Sequence, residues 1–150
     1  MEAYVKQLII VRKDLERTPG KLAAQVSHAS MAFLTTLLQN PEKLETTRTG
    51  KCYIAVAIQK DVYEGWIKGI FTKIVCRAKN KNDLMKVVSA AESLGLKEGE
   101  DFFLIKDCCL TELTPEETDE NGVGRVLTCI GFRPLPDDIC KQLSRKYQLL

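Results

Sequence analysis

Three polar side chains lie at helical spacing within the stretch TPGKLAAQVSHAS, residues 18–30. Lys21, Gln25 and His28 are separated by four and then by three positions, which stacks them along one stripe of a helix. Lys21 falls in the first turn, where free backbone N–H groups and the helix dipole attract anions. The pattern predicts either a solvated polar stripe or a seam lining a cleft for a phosphate, a carboxylate or a developing oxyanion.

A carboxylate and a hydroxyl follow a predicted strand in the second half of the chain. Asp107 comes directly after the apolar run DFFLIK, and Thr111 lies four residues further on. If that strand runs parallel to the first strand, Asp107 shares the carboxyl edge of the sheet with the start of the helix. Open α/β sheets bind their ligands at that edge. The alternative is that Asp107 is a turn residue or a helix cap.

Basic residues form a third group of candidates. Lys73, Arg77 and Lys79 fall on one face of the predicted strand KIVCRAK, because side chains alternate along a strand. Arg12 and Lys13 end the first predicted strand. These cations are predicted either to form an ordinary charged rim or, beside an anion site, to bind the phosphate backbone of a nucleic acid.

The elements that must position these residues follow from hydrophobic periodicity. A long helix is predicted from Pro19, after Thr18 as its N-cap, to Gln39, because Asn40-Pro41 ends it. The other predicted elements are strands at 7–12, 53–59, 73–79, 101–106 and 125–132, a helix from Asn80 or Asn82 to Leu94, and a short helix from Leu135 to Arg145. The polar segment 114–124 is predicted to be a loop. This order favours a layered α/β fold with a mixed sheet.

The composition is that of one globular domain over residues 1–150. The apolar share is 45% and the charged share is 28%, which suits a single hydrophobic core. A formal net charge of +2 does not by itself indicate a nucleic-acid partner, but it is compatible with one if the cations are clustered. No apolar run is long enough to span a membrane, and MEAYVKQLIIVRKD lacks the pattern of a signal peptide. A cytoplasmic protein is therefore expected.

The six cysteines do not form a recognisable metal site. No CxxC pair and no histidine cluster accompany them, so no metal and no cofactor are expected. Several lie inside apolar, strand-like runs, which favours reduced and buried thiols, and three disulfides are the alternative.

At four places the chain resembles the type II peptidyl-tRNA hydrolases. VRKDLERTPGKLAAQVSHA is similar to the family signature V-R-x-D-L-x-M-x-x-G-K-x-A-A-Q-x-x-H-A. KIVCRAKNKNDL resembles the second core strand of the family and the helix start after it. FLIKDCCLTEL is similar to L-I-x-D-A-G-x-T-x-I, and VLTCIGFRPLPDDI to V-L-x-I-G-P-x-P. The four matches occur in family order and cover most of the core.

The resemblance implies a small three-layer α/β/α domain with a mixed, mostly four-stranded sheet. It also implies metal-independent hydrolysis of the ester that joins a peptide to the 3′ end of a tRNA. By matching position, the implicated residues fall on Lys21, Gln25, Asp107 and Thr111, with His28 in the same motif. Asp107, assisted by Thr111, is expected to position or deprotonate water. Lys21 and the helix N-terminal amides are expected to stabilise the oxyanion or to hold the terminal phosphates, and Gln25 to fix the substrate carbonyl or ribose.

The chain departs from the family pattern at several positions. Pro19 stands where members usually carry a second lysine, Cys108-Cys109 replaces Ala-Gly, and Arg125 replaces a threonine. Extra residues are expected near 46–64, 97–101 and 117–124. A catalytically inactive module that binds tRNA or protein is the alternative function. A covalent route through Cys108 or Cys109, hydrolysis of another acyl ester and a homodimer also stay open.

Overall fold

The computed structural model describes residues 4–150, so the first three residues of the predicted domain lie outside the described part. The helices are α1 (Pro19–Gln39), α2 (Lys60–Val62), which continues into a π-helical turn (Tyr63–Ile67), α3 (Lys81–Ser93) and α4 (Asp137–Ser144). The strands are β1 (Val5–Arg12), β2 (Lys43–Thr46), β3 (Cys52–Ala55), β4 (Lys73–Ala78), β5 (Phe102–Asp107), β6 (Glu117–Thr118), β7 (Gly124–Phe132), β8 (Leu135–Pro136) and β9 (Gln148–Leu149).

The main sheet has the strand order β5-β7-β1-β4-β9. β1 pairs with β4 in parallel, whereas β7 is antiparallel to both β1 and β5. Two antiparallel steps bring β5 back to the direction of β1, so both strands end at the same edge of the sheet. The predicted α/β fold with a mixed sheet built mainly on four long strands is confirmed.

Side-chain alternation divides the core between the two faces of this sheet. Leu8 and Ile10 of β1 face α3 and α4, where they join the largest apolar cluster. Ile9 and Val11, between them, face α1 and pack with Ala29. The result is the expected arrangement of helix, sheet and helices in three layers.

α1 begins and ends where its sequence signals place it. Thr18 accepts a hydrogen bond from the Lys21 backbone N–H at 3.3 Å, and Pro19 occupies the first helical position. A buried glutamine, Gln7, donates to the Ser30 carbonyl at 2.7 Å and so fastens the helix to β1. At Gly131 of β7, a Cβ would overlap the backbone carbonyl of the helix, which explains the glycine there. These contacts fix the helix start over the edge where β1 and β5 end.

The strand predicted at 53–59 forms only in its first half. Cys52–Ala55 is the part of this run that forms a strand, and it pairs with β2 in a separate two-stranded hairpin whose residues are exposed. Tyr53 is 66% exposed, so this run contributes no apolar side chain to the core from its first half. Apolar packing begins later in the chain, where Ile58, and Trp66 of the π-helical turn, join the cluster around Phe33 of α1.

The stretches expected to carry extra residues adopt distinct local structures. The stretch 46–64 contains β3, α2 and the first part of the π-helical turn, and 97–101 is a tight turn before β5. The stretch 117–124, predicted as loop, includes the short strand β6 paired with β7. The last predicted helix starts two residues late, because Leu135 and Pro136 first pair with β1.

Candidate active site at the start of the first long helix

An ion pair joins the first turn of α1 to the end of β5. The Lys21 Nζ lies 2.8 Å from the Asp107 Oδ2, and the two side chains are 21% and 11% exposed. We call this the charge pair. It forms because α1 starts over the edge at which β5 ends, so residues far apart in the chain meet there. Hydrogen bonding to Asp107 raises the pKa of Lys21, which keeps the ammonium charged at neutral pH.

The carboxylate of Asp107 is held ionised by several donors. Partial burial pushes the pKa of Asp107 upward, but the Lys21 ammonium, the Cys109 backbone N–H and the Gln25 amide outweigh burial, and the net pKa is lowered. The Cys109 N–H donates to the Asp107 Oδ1 at 2.7 Å. An aspartate with a lowered pKa is a weak proton acceptor, so this site suits orientation of a water better than full deprotonation.

Cys109 adopts a backbone conformation that favours glycine. Its φ angle is +61°, in the left-handed region, at the position where the family pattern has a glycine. This conformation aims the Cys109 N–H at Asp107. Burial raises the pKa of the Cys109 thiol, and the neighbouring Asp107 charge raises it further. The neutral thiol is therefore favoured, which argues against Cys109 as a nucleophile.

Gln25 lies beside the charge pair with its amide unpaired. The residue is 1% exposed, and neither its Nε2 nor its Oε1 completes a hydrogen bond with any described residue. The amide is nonetheless close enough to stabilise the charge on Asp107. An unpaired buried amide costs free energy, about 1–3 kcal/mol, unless another molecule satisfies it. A buried water, or a group of a ligand that enters the site, would satisfy this amide.

One backbone N–H in the first turn of α1 is free to bind a ligand. Pro19 has no N–H, and the Lys21 and Leu22 N–H groups donate to Thr18. The Gly20 N–H has no hydrogen-bond acceptor within residues 4–150. A Cβ built on Gly20 would meet open space, so a ligand can approach the backbone there.

Two of the predicted site residues, His28 and Thr111, do not contact the charge pair. His28 is exposed, and it lies seven residues beyond Lys21, which is about 10 Å along the helix axis. Thr111 is exposed on the segment after β5, and its hydroxyl forms no hydrogen bond with the described part of the chain. The structure thus groups Lys21, Gln25 and Asp107, and it leaves His28 and Thr111 outside their hydrogen-bond network.

Sequence reasoning missed Glu112. Its carboxylate accepts hydrogen bonds from both the backbone N–H and the hydroxyl of Thr18, at 2.8 and 2.6 Å. The Thr18 hydroxyl lowers the pKa of Glu112. The two residues are 94 positions apart, so no local pattern signals the contact.

Arg12 is not the surface cation that its position at a strand end predicts. It is 3% exposed, and its guanidinium pairs with Asp14 at 2.8 Å and with Glu116 at 2.8 and 2.9 Å. It also donates to the Leu127 carbonyl at 3.1 Å. Arg12 therefore ties together three segments of the protein and is not presented to a phosphate, which corrects its prediction as a nucleic-acid contact.

The other predicted cations divide into two places. Lys13, Arg77 and Lys79 line a cleft of about 380 Å³, together with Ala78, Asp83, Lys146 and Gln148. We call this the basic cleft. Lys73 is at the opposite end of β4, where its ammonium lies 5.0 Å from the centre of the Trp66 ring. Arg77 is four positions further along the strand than Lys73, a distance of about 13 Å.

The basic cleft and the charge pair lie on one edge of the sheet. β4 is three strands from β5, which corresponds to about 14 Å at the usual spacing of about 4.8 Å. Within residues 4–150, no group of three or more His, Cys, Asp or Glu side chains is placed to hold a metal ion. Within the same range, no helix has both the length and the apolar character to cross a bilayer.

The fold and this site define a small α/β protein with an ammonium–carboxylate pair at a helix start, beside a basic edge. The family model for peptidyl-tRNA hydrolase PTH2 matches residues 5–150. The chain therefore belongs to the PTH2 peptidyl-tRNA hydrolase family, as its sequence motifs predict.

Curated relatives agree with this family. The chain is 28% identical to a peptidyl-tRNA hydrolase from Thermococcus sibiricus over 97% of each chain. It is 30% identical to one from Methanopyrus kandleri, again over 97% of each chain. One from Thermoplasma acidophilum is 27% identical over the same shares. The family membership also confirms the prediction of an enzyme that hydrolyses peptidyl-tRNA.

Proposed function

We propose that this protein hydrolyses the ester bond of peptidyl-tRNA with the charge pair and Gln25 as its catalytic groups. One observation carries the assignment of these residues: the Lys21 ammonium lies 2.8 Å from Asp107, beside a buried amide without a partner. Ester hydrolysis needs a positioned water and a stabiliser for the tetrahedral oxyanion. These groups supply both.

Asp107 positions the attacking water. Its lowered pKa keeps it ionised, so it accepts a hydrogen bond from water and aims the oxygen lone pair at the ester carbon. Proximity and orientation of this kind can supply a large part of a rate enhancement. The Cys109 N–H donates to Oδ1 of Asp107 and the Lys21 ammonium to Oδ2, so the water donates to a remaining lone pair of the carboxylate.

Lys21 stabilises the negative charge that develops on the carbonyl oxygen. Its ammonium has three donors, of which Asp107 uses one. The Gly20 N–H, open to solvent and next to Lys21, adds a second donor type at the positive end of the helix dipole. Gln25 then binds the substrate carbonyl or the terminal ribose and satisfies its own buried amide.

The basic cleft binds backbone phosphates of the tRNA. Lys13, Arg77 and Lys79 face one opening, with Lys146 as a further cation from the C-terminal segment. The ends of β4 and β5 are about 14 Å apart, so a single strand that lies along this edge can contact both the cleft and the charge pair. The same edge of the sheet thus holds both the reacting end and the backbone of one substrate.

The remaining predictions have no direct test in the structure. The role of Thr111 in water placement and the place of His28 among the catalytic residues stay predictions, because neither contacts the charge pair. The single hydrolase-like domain over 1–150, the cytoplasmic location and the homodimer also stay predictions.

The proposal is tested by release of a labelled peptide from purified peptidyl-tRNA, with tRNA binding measured in parallel. Wild-type protein should release the peptide, and Asp107→Asn should retain binding but lose most turnover. Asp138→Asn, a change at an exposed carboxylate on α4, should behave as wild type. Binding without turnover by the wild type would replace the enzyme with an inactive tRNA-binding module. Absence of both would refute both RNA functions, and turnover of a small acyl ester alone would indicate another hydrolase.

A further inference from the structure

The segment that follows β5 has little regular structure of its own, although it comes directly after Asp107. Residues 108–116 contain no helix or strand. Leu110 is 82% exposed, and Leu113 is the one side chain of the segment buried in the protein. At its far end, Glu116 is anchored by the buried guanidinium of Arg12. The part next to Asp107 therefore needs another anchor if the charge pair is to have a fixed geometry.

Glu112 provides this anchor through Thr18. The Glu112 Oε2 accepts from the Thr18 N–H at 2.8 Å, and its Oε1 accepts from the Thr18 hydroxyl at 2.6 Å. The Thr18 hydroxyl in turn accepts from the Lys21 backbone N–H at 3.3 Å. The Lys21 side chain then returns to Asp107 at 2.8 Å. These contacts run from Glu112, in the segment after β5, through the start of α1 to Asp107, the last residue of β5.

We propose that Glu112 is a positioning residue, which holds the segment after β5 against the start of α1 and so fixes the charge pair. Two hydrogen bonds to one charged carboxylate define both distance and direction, which a single contact would not. Glu112 acts through Thr18 and Asp107 and does not contact the reacting atoms. This inference rests on the proposed function for its effect on rate, but its geometric part stands independently.

The test compares Glu112→Ala, Glu112→Gln and the control Glu120→Ala in steady-state hydrolysis of peptidyl-tRNA. Glu120 is an exposed carboxylate in the turn before β7. Glu112→Ala should lower kcat by about tenfold with KM changed by less than about twofold, since a misplaced catalytic group affects the chemical step. Glu112→Gln keeps one acceptor oxygen and should recover at least half of that loss on a logarithmic scale. Glu120→Ala should match the wild type.

Amide hydrogen exchange at Cys109 supplies a readout that does not depend on turnover. Its N–H donates to Asp107 and does not contact Glu112, so it exchanges faster only if the segment is released. Glu112→Ala should accelerate this exchange by about tenfold or more without changing global unfolding. Unchanged exchange overturns the proposal, even if the wild type proves inactive on peptidyl-tRNA. A rise in KM at constant kcat, or a rise in kcat, also overturns it, because Glu112 would then contact substrate or obstruct the site.

Discussion

Replacing Cys109 with glycine should stabilise the protein and leave its activity intact. A residue with a side chain at φ +61° costs about 1–2 kcal/mol relative to an ordinary conformation. Glycine removes that cost, but it adds about 0.4–1 kcal/mol of conformational entropy to the unfolded chain. The difference predicts a gain of about 0.5–1 kcal/mol, or about 1–4 °C in Tm for a domain of this size.

Urea denaturation followed by circular dichroism measures this gain. Cys109→Ala is the matched control, because alanine removes the thiol but keeps the side-chain strain at positive φ, so it should not stabilise. Turnover of Cys109→Gly should stay within about threefold of the wild type, since the hydrogen bond to Asp107 comes from the backbone N–H. If glycine and alanine change the free energy of unfolding equally, or if glycine is the less stable, backbone strain at Cys109 is not the cause and the reasoning fails.

Three further predictions follow from the charges of the protein. Arg12→Leu should lower the free energy of unfolding by about 2–4 kcal/mol in urea titrations, because it leaves two carboxylates without their cation, whereas Lys13→Ala should cost less than about 0.5 kcal/mol. Equal losses would show that the Arg12 contacts do not stabilise the fold. Arg77→Ala should raise KM for peptidyl-tRNA and reduce the slope of log KM against log salt concentration by about one unit, whereas Lys73→Ala should change neither quantity. A larger effect of Lys73→Ala than of Arg77→Ala would show that the basic cleft is not part of the binding site. In the charge pair, the pKa of the Asp107 carboxylate is lowered, so its charge is lost only as pH falls through that pKa. The pKa of the Lys21 ammonium is raised, so its charge is lost only as pH rises through that pKa. We therefore expect kcat/KM to be constant from about pH 5 to about pH 9. A titration near neutral pH would assign catalysis to another group.

The sequence predicted the elements whose signals are local. Thr18 and Asn40-Pro41 mark the two ends of α1, and both bounds agree with the structure. The sequence made the shared edge of β1 and β5 conditional on the two strands running in the same direction, and two antiparallel steps through β7 meet that condition. A lysine in a first turn and an aspartate after a parallel strand must then lie near each other, and they do.

What the sequence did not predict depends on partners distant in the chain. Arg12 is buried because Glu116 reaches it from 104 positions away. Glu112 binds Thr18 across 94 positions, and neither residue type indicates the other. The run after Tyr53 is apolar enough for a core strand, but tertiary packing leaves its first half in an exposed hairpin. Periodicity describes one element at a time and does not report which surfaces will meet.

The central claim is that Lys21 and Asp107 act as one catalytic unit, and a double-mutant cycle tests it most directly. Peptide release is measured under single turnover for the wild type, Lys21→Gln, Asp107→Asn and the double variant. Each single change should lower the rate by about 10²–10³-fold, and the double variant should be no more than about threefold slower than the slower single variant. Rate losses that multiply in the double variant, or single variants within about threefold of the wild type, would contradict the account.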